Sequence, residues 1–96
     1  MTDVFEALAA PARRVILDEL TERNGQALFE LCTRLVMKHG MSMTRQAISQ
    51  HLAVLEEAGL VVTKKEGRFK FHYIRTGPLD AIAKRWPAQP EEEKRR

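Results

Sequence analysis

The sequence is poorest in cysteine. Cys32 is the sole one among 96 residues, so no internal disulfide can form. A lone thiol suits a reducing cytoplasm better than an oxidising compartment. Long apolar runs are also missing, and no stretch approaches the ~20 residues that a membrane-spanning helix needs. The opening MTDVFEALAA lacks a basic segment followed by an apolar run, so it is not expected to be a signal peptide. There is no internal repeat, no glycine-rich phosphate loop and no paired acid and base at a recognisable spacing. Nothing orients Cys32 toward a histidine, as a nucleophile would require. These absences argue against an enzyme, and no cofactor is expected.

What is present suits one small domain: the hydrophobic fraction is 44% and the formal net charge is +3. A domain this small has a modest core, and unused apolar surface favours self-association. The charge is unevenly spread. Residues 1–30 carry six acids and three bases, whereas residues 42–75 carry six bases against three acids. Basic charge concentrated in one half suggests a polyanion partner, although a solvated charged face gives the same pattern.

The apolar spacing divides the chain into elements. Val4, Phe5 and Leu8 predict a short helix over about residues 2–9. Pro11 favours a new helix start, carried on by Val15, Ile16, Leu17 and Leu20 and ended at Asn24-Gly25. In ALFELCTRLVMKHG, Leu28, Leu31, Cys32 and Leu35 follow helical spacing, with Lys38 and His39 in the last turn and Gly40 as cap. A fourth helix begins near Thr44, an apt N-cap, and holds its core stripe at Ile48, Leu52 and Leu55 before Gly59-Leu60 turns the chain away. LVVTKKEGRFKFHYIR then reads as a β-hairpin around Glu66-Gly67-Arg68. Alternation puts Phe69, Phe71 and Tyr73 on one face and Lys70 and His72 on the other, with His72 expected to face solvent. A last helix carries Leu79, Ile82, Ala83 and Trp86, and PAQPEEEKRR has no apolar periodicity. The expected fold is mostly α with a small β-hairpin, in the order α-α-α-α-β-β-α, a winged helix-turn-helix. Residues 1–86 form the domain and residues 87–96 a disordered polar tail.

This order points to double-stranded DNA. A major groove admits one helix with an apolar face for docking and a polar face for reading. Gln46, Ser49, Gln50 and Ala53 lie opposite the core stripe, with Thr44, Arg45 and His51 beside them near the helix start. Gln can pair with adenine, Ser with bases or phosphate, and Arg45 with guanine or phosphate. Recognition helices insert their N-terminal turns deepest, which accounts for the polar front end. Arg68 at the hairpin tip is placed for a minor groove, and Lys64, Lys65 and Lys70 would add affinity that falls with salt. A polar turn on an ordinary core helix beside a solvated hairpin is the bland alternative for each element alone.

Residues 3–86 resemble the ArsR/SmtB family of bacterial winged-helix regulators. FEALAAPARRVILDEL is similar to the family's opening pair of helices, AISQHLAVLEEAGLV to its recognition helix, and KKEGRFKFHYI to its wing. The resemblance implies a homodimeric repressor on a palindromic operator, released by an effector. The metal-sensing branch carries a CxC pair on the third helix, but ELCTRL has Arg34 where the second thiolate would stand, and PLDAIAKRW offers Asp80 without histidines. No set of three or four metal ligands can be assembled. VMKHGMSM resembles a subgroup with an extended third helix, and it lengthens the link between the two helices of the motif.

Cys32 on an apolar stripe reads as a small buried hydrophobe, with a redox-sensing thiol as the sharper alternative. Met37, His39, Met41 and Met43 suit capping and packing better than a soft metal. Val4, Phe5, Leu8, Leu79, Ile82 and Trp86 form stripes that one small domain does not fully cover, so they are the expected dimer interface. A winged-helix module that turns its basic face toward acidic side chains of another protein is the competing function.

Overall fold

The computed structural model describes residues 2–90. Most of the tail expected to be disordered, residues 91–96, lies outside the described residues. α1 (Val4–Leu8) starts at Asp3, whose Oδ1 accepts the Glu6 N–H at 2.8 Å. α2 (Pro11–Glu22) begins on the proline, whose missing N–H costs nothing in a first turn. The short strand β1 (Gln26–Ala27) follows, then α3 (Leu28–His39). In α4 (Arg45–Glu57) the Thr44 hydroxyl accepts the Ala47 N–H at 3.0 Å, the cap expected from the sequence. The helix ends as its apolar pattern suggests: Leu60 N–H returns to Leu55 O at 2.9 Å and Gly59 N–H to Glu56 O at 3.0 Å.

The hairpin is β2 (Val61–Glu66) and β3 (Phe69–Ile74), and α5 (Gly77–Arg85) closes the domain. Glu66 pairs with Phe69, which leaves a two-residue loop of Gly67 and Arg68. Gly67 has φ +62°, while among the described residues no non-glycine has positive φ. Positive φ at the first loop position alone is the pattern of a type II′ turn, whose twist matches a hairpin.

One expectation needs correction. The sheet has three strands, in the order β1-β3-β2, so the element order is α-α-β-α-α-β-β-α. Gln26 lies opposite His72 and Ala27 opposite Phe71. Two residues are too few to show an alternation, so β1 is defined by its partner and not by its own pattern. The Asn24 side chain supports the same docking, with Oδ1 accepting the Ile74 N–H at 2.9 Å.

The core is a contact between α2, α3, α4 and the start of β2. Ile16, Leu20, Leu31, Leu35, Leu55 and Leu60 are fully buried, with Ile48, Leu52 and Val61 almost so. Each such side chain gains about 1.5–3 kcal/mol from burial. α4 is thus held by its apolar stripe, which leaves its other face free. The link before it is shorter than VMKHGMSM suggests. α3 runs to His39, and Met41 and Met43 pack against the core, so only residues 40–44 connect the helices.

His72 is the second correction. Its side chain is buried, not solvent-facing. The ring shares its surroundings with Leu28 and Phe29 of α3 and Leu52 of α4, so the face carrying Lys70 and His72 is covered at its base and open at its tip.

Candidate nucleic-acid interface

The polar front of α4 is exposed as a unit. Thr44, Arg45, Gln46, Ser49, Gln50 and Ala53 all face outward while Ile48, Leu52 and Leu55 are buried on the opposite side. Lys64, Lys65, Arg68 and Lys70 are likewise exposed on the wing. A cleft of about 550 Å³ lies between the two elements and is lined by Arg45, Ser49 and Ala53 from α4 and by Arg68 and Lys70 from the wing. Thr44, Gln46, Gln50, Lys64 and Lys65 do not line this cleft. Lys64 instead sits over the Tyr73 ring, 5.2 Å from its centroid.

Aromatic side chains edge the cleft. Phe29 at the start of α3 and Phe69 on β3 are both half exposed, with centroids 6.2 Å apart. His72 contributes to its lining as well, and its Nδ1 lies 3.4 Å from the Thr63 hydroxyl. Burial lowers the His72 pKa and Lys70 adds to that, against the opposing effect of Glu56.

His51 is set apart from the other polar residues of α4. It is half-buried, and its Nδ1 is 3.2 Å from Nη1 of Arg13 on α2. Burial pushes its pKa down, and the positive charge of Arg13 pushes the same way. Arg13 escaped the sequence reading. It lies in the PARRV segment among residues that only suggest a solvated helix start.

Residues 8–64 match the family model described as a helix-turn-helix domain. The chain is 48% identical over 83 residues to the uncharacterized HTH-type transcriptional regulator YuzN of Bacillus subtilis, covering 86% of this chain and 90% of that one. It also superimposes on an ArsR-like transcriptional regulator from Rhodococcus with a TM-score of 0.76, at 33% identity, over 96% of this chain and 78% of the other. The chain belongs to the ArsR family of helix-turn-helix transcriptional regulators. It is a transcriptional regulator with a helix-turn-helix DNA-binding domain, not an enzyme. A further relative, the transcriptional repressor SdpR of Bacillus subtilis, is 29% identical over 79 residues, which is 82% of this chain and 80% of that one.

In this ArsR-family chain the terminal helices divide the expected interface residues into two sets. Val4, Leu8 and Leu79 are half-buried and pack against the monomer core. Ile82 is half-buried, and Phe5 and Trp86 stand out at 52% and 59% exposure, large for apolar side chains. The two rings meet each other at 6.3 Å, and Arg85 lies over the indole at 4.3 Å. A groove of about 380 Å³ between α1 and α5 is lined by Val4, Phe5, Pro78, Ala81 and Ile82.

Among the described residues, Glu19, Glu22 and His39 are the one group whose atoms could converge on a metal ion. Both carboxylates are already engaged by cations, Glu19 by Arg34 and Glu22 by Lys38. Cys32 is half-buried against the core. The Glu19 cluster was also missed from the sequence. A signal for it existed, because Glu19 follows Ile16 at helical spacing on a buried stripe, where a carboxylate needs partners.

Proposed function

We propose that this regulator is a homodimeric repressor that binds a palindromic operator in the cytoplasm and is released by an effector. Residues 1–86 carry both activities. The observation that carries this reading is the shared cleft, where the reading helix supplies Arg45 and Ser49 and the wing supplies Arg68 and Lys70. Gln46, Ser49 and Gln50 face the bases, while Thr44, Arg45, His51 and the wing cations Lys64, Lys65, Arg68 and Lys70 hold the backbone. Phe5, Ile82 and Trp86, with Val4, Leu8 and Leu79 behind them, form the contact between copies. Two reading helices at fixed spacing fit two half-sites. An effector that alters the contact between copies would change that spacing. The name of the repressor SdpR supports the sign of regulation.

Gel-shift titration against DNA upstream of the encoding gene, at two salt concentrations, tests this function. Gln50→Ala should reduce the preference for specific over random DNA by about 1–3 kcal/mol. Arg68→Ala should weaken both and lower the salt slope by about 1. Absence of a specific complex at low salt would overturn the proposal.

A further inference from the structure

Arg13 joins three helices through one side chain. It lies on α2, its Nε donates to Ala7 O at 2.7 Å, and its Nη2 donates to Glu6 O at 3.1 Å, both at the end of α1. Its Nη1 reaches Nδ1 of His51 on α4 at 3.2 Å. A guanidinium has only donors and keeps its proton. Nδ1 therefore faces it with a lone pair, and the proton of the neutral ring belongs on Nε2. That second nitrogen has no partner among the described residues and is not sealed from solvent. It sits one residue after Gln50, at the margin of the polar face.

We infer that Arg13 is a positioning residue for DNA binding: it fixes the His51 ring with its lone pair at Nδ1, so that Nε2–H is presented as a donor to a DNA phosphate. The inference rests on the reading of α4 as the groove-facing helix. A neutral ring gives a directed hydrogen bond without adding a charge, so His51 contributes affinity but no counterion release. Arg13 on α2 is the charged group set against this ring. Without it the ring exchanges freely between tautomers and accepts a proton at higher pH. The effect on DNA passes through ring orientation, in the way that outer partners orient metal-bound histidines.

The test is nitrogen-15 NMR of the histidine rings in the full chain, combined with operator titration. The wild type should show His51 as the Nε2–H tautomer. Arg13→Gln should show both tautomers and a raised His51 pKa. His51→Asn keeps an acceptor for Arg13 and loses the distal donor. It should fold normally and weaken operator binding about 2- to 10-fold per bound copy, with an unchanged salt slope. In the His51→Asn background, Arg13→Gln should cause no further loss of affinity. Arg13 also caps α1, so the wild-type spectrum and His51→Asn keep the test decisive if Arg13→Gln fails to fold. An Nδ1–H ring in the wild type overturns the inference, as does full operator affinity in His51→Asn. If the wild type forms no specific complex, the groove-facing reading itself has failed. If it does so and Gln50→Ala weakens it, an unaffected His51→Asn condemns only the roles given to His51 and Arg13.

Discussion

The carboxylate of Glu19 on α2 is fully buried against the guanidinium of Arg34 on α3. Gln26 Nε2 donates to the same carboxylate at 2.7 Å, and His39 Nε2 lies 3.1 Å from its other oxygen. Burial raises the Glu19 pKa, but the hydrogen bonds from Arg34, Gln26 and His39 outweigh it and hold the group below the usual carboxylate value. One acid thus ties β1, the middle of α3 and its C-terminal end to α2.

Glu19→Ala should therefore destabilise the domain. Removing one partner of a buried pair costs about 3–5 kcal/mol. The Arg34 side chain keeps 23% of its exposure, so part of its charge returns to water. A loss of about 2–3 kcal/mol in urea unfolding is expected. The lowered pKa gives the sign with pH: this stability is present above the ordinary value of 4.5 and is lost as pH falls through the folded value. Glu19→Ala should flatten the acid limb of a stability profile, and an unchanged limb would refute the assignment.

Gly25→Ala should cost more than Gly67→Ala. Both glycines have positive φ, +74° and +62°. A Cβ at Gly25 would stand 2.6 Å from Cε2 of Tyr73, whereas one at Gly67 meets open space. The backbone penalty alone is about 1–2 kcal/mol, and overpacking at Gly25 adds about 1–3 kcal/mol. Thermal melts of the two variants compare them directly, and equal losses would mean that the Tyr73 ring moves aside freely.

Acid should also act through His72. Its folded pKa lies below the ordinary 6.5, because burial and Lys70 outweigh Glu56. Its stabilising share is present above 6.5 and is lost as pH falls through the lowered folded value. One such group changes stability by at most about 1.4 kcal/mol per pH unit. His51 acts with the same sign. His72→Gln should remove its share of the decline from pH 7 to pH 5, measured by urea unfolding at each pH. A decline as steep as that of the wild type would assign the effect elsewhere.

Trp86→Ala should shift sedimentation toward a single copy, since the exposed Phe5–Trp86 pair is the largest apolar feature of the terminal helices. Folding should be nearly unaffected because Trp86 lies outside the core. An unchanged sedimentation profile would overturn the assignment of this pair to a contact between copies.

The elements that repeat their pattern were legible in the sequence. α4 carries its cap at Thr44, its stripe at Ile48, Leu52 and Leu55, and its exit at Gly59-Leu60, and each stands where local chemistry puts it. The hairpin turn is equally local. What could not be read depends on contacts between distant segments. β1 exists through its pairing with Phe71 and His72, and His72 is buried beside Leu28, Phe29 and Leu52, which lie far from it in the sequence. Arg13 and His51 are 38 positions apart, and no spacing rule links them. The exposed polar face of α4 was open to reading because it obeys a helix period. The residues that brace it from behind were not.

The pairing of β1, through Gln26 and Ala27, with β3 reaches only His72 and Phe71, so the outer part of the wing is supported by its own two strands alone. Mechanically the wing is a cantilever, clamped at its root beside α3 and free from Lys65–Lys70 to the Gly67-Arg68 tip. Deflection grows toward a free end, so on the proposed reading Arg68 would follow variations in groove width while the root keeps the position of α4 unchanged. Tolerance is thereby assigned to the tip and accuracy to the base.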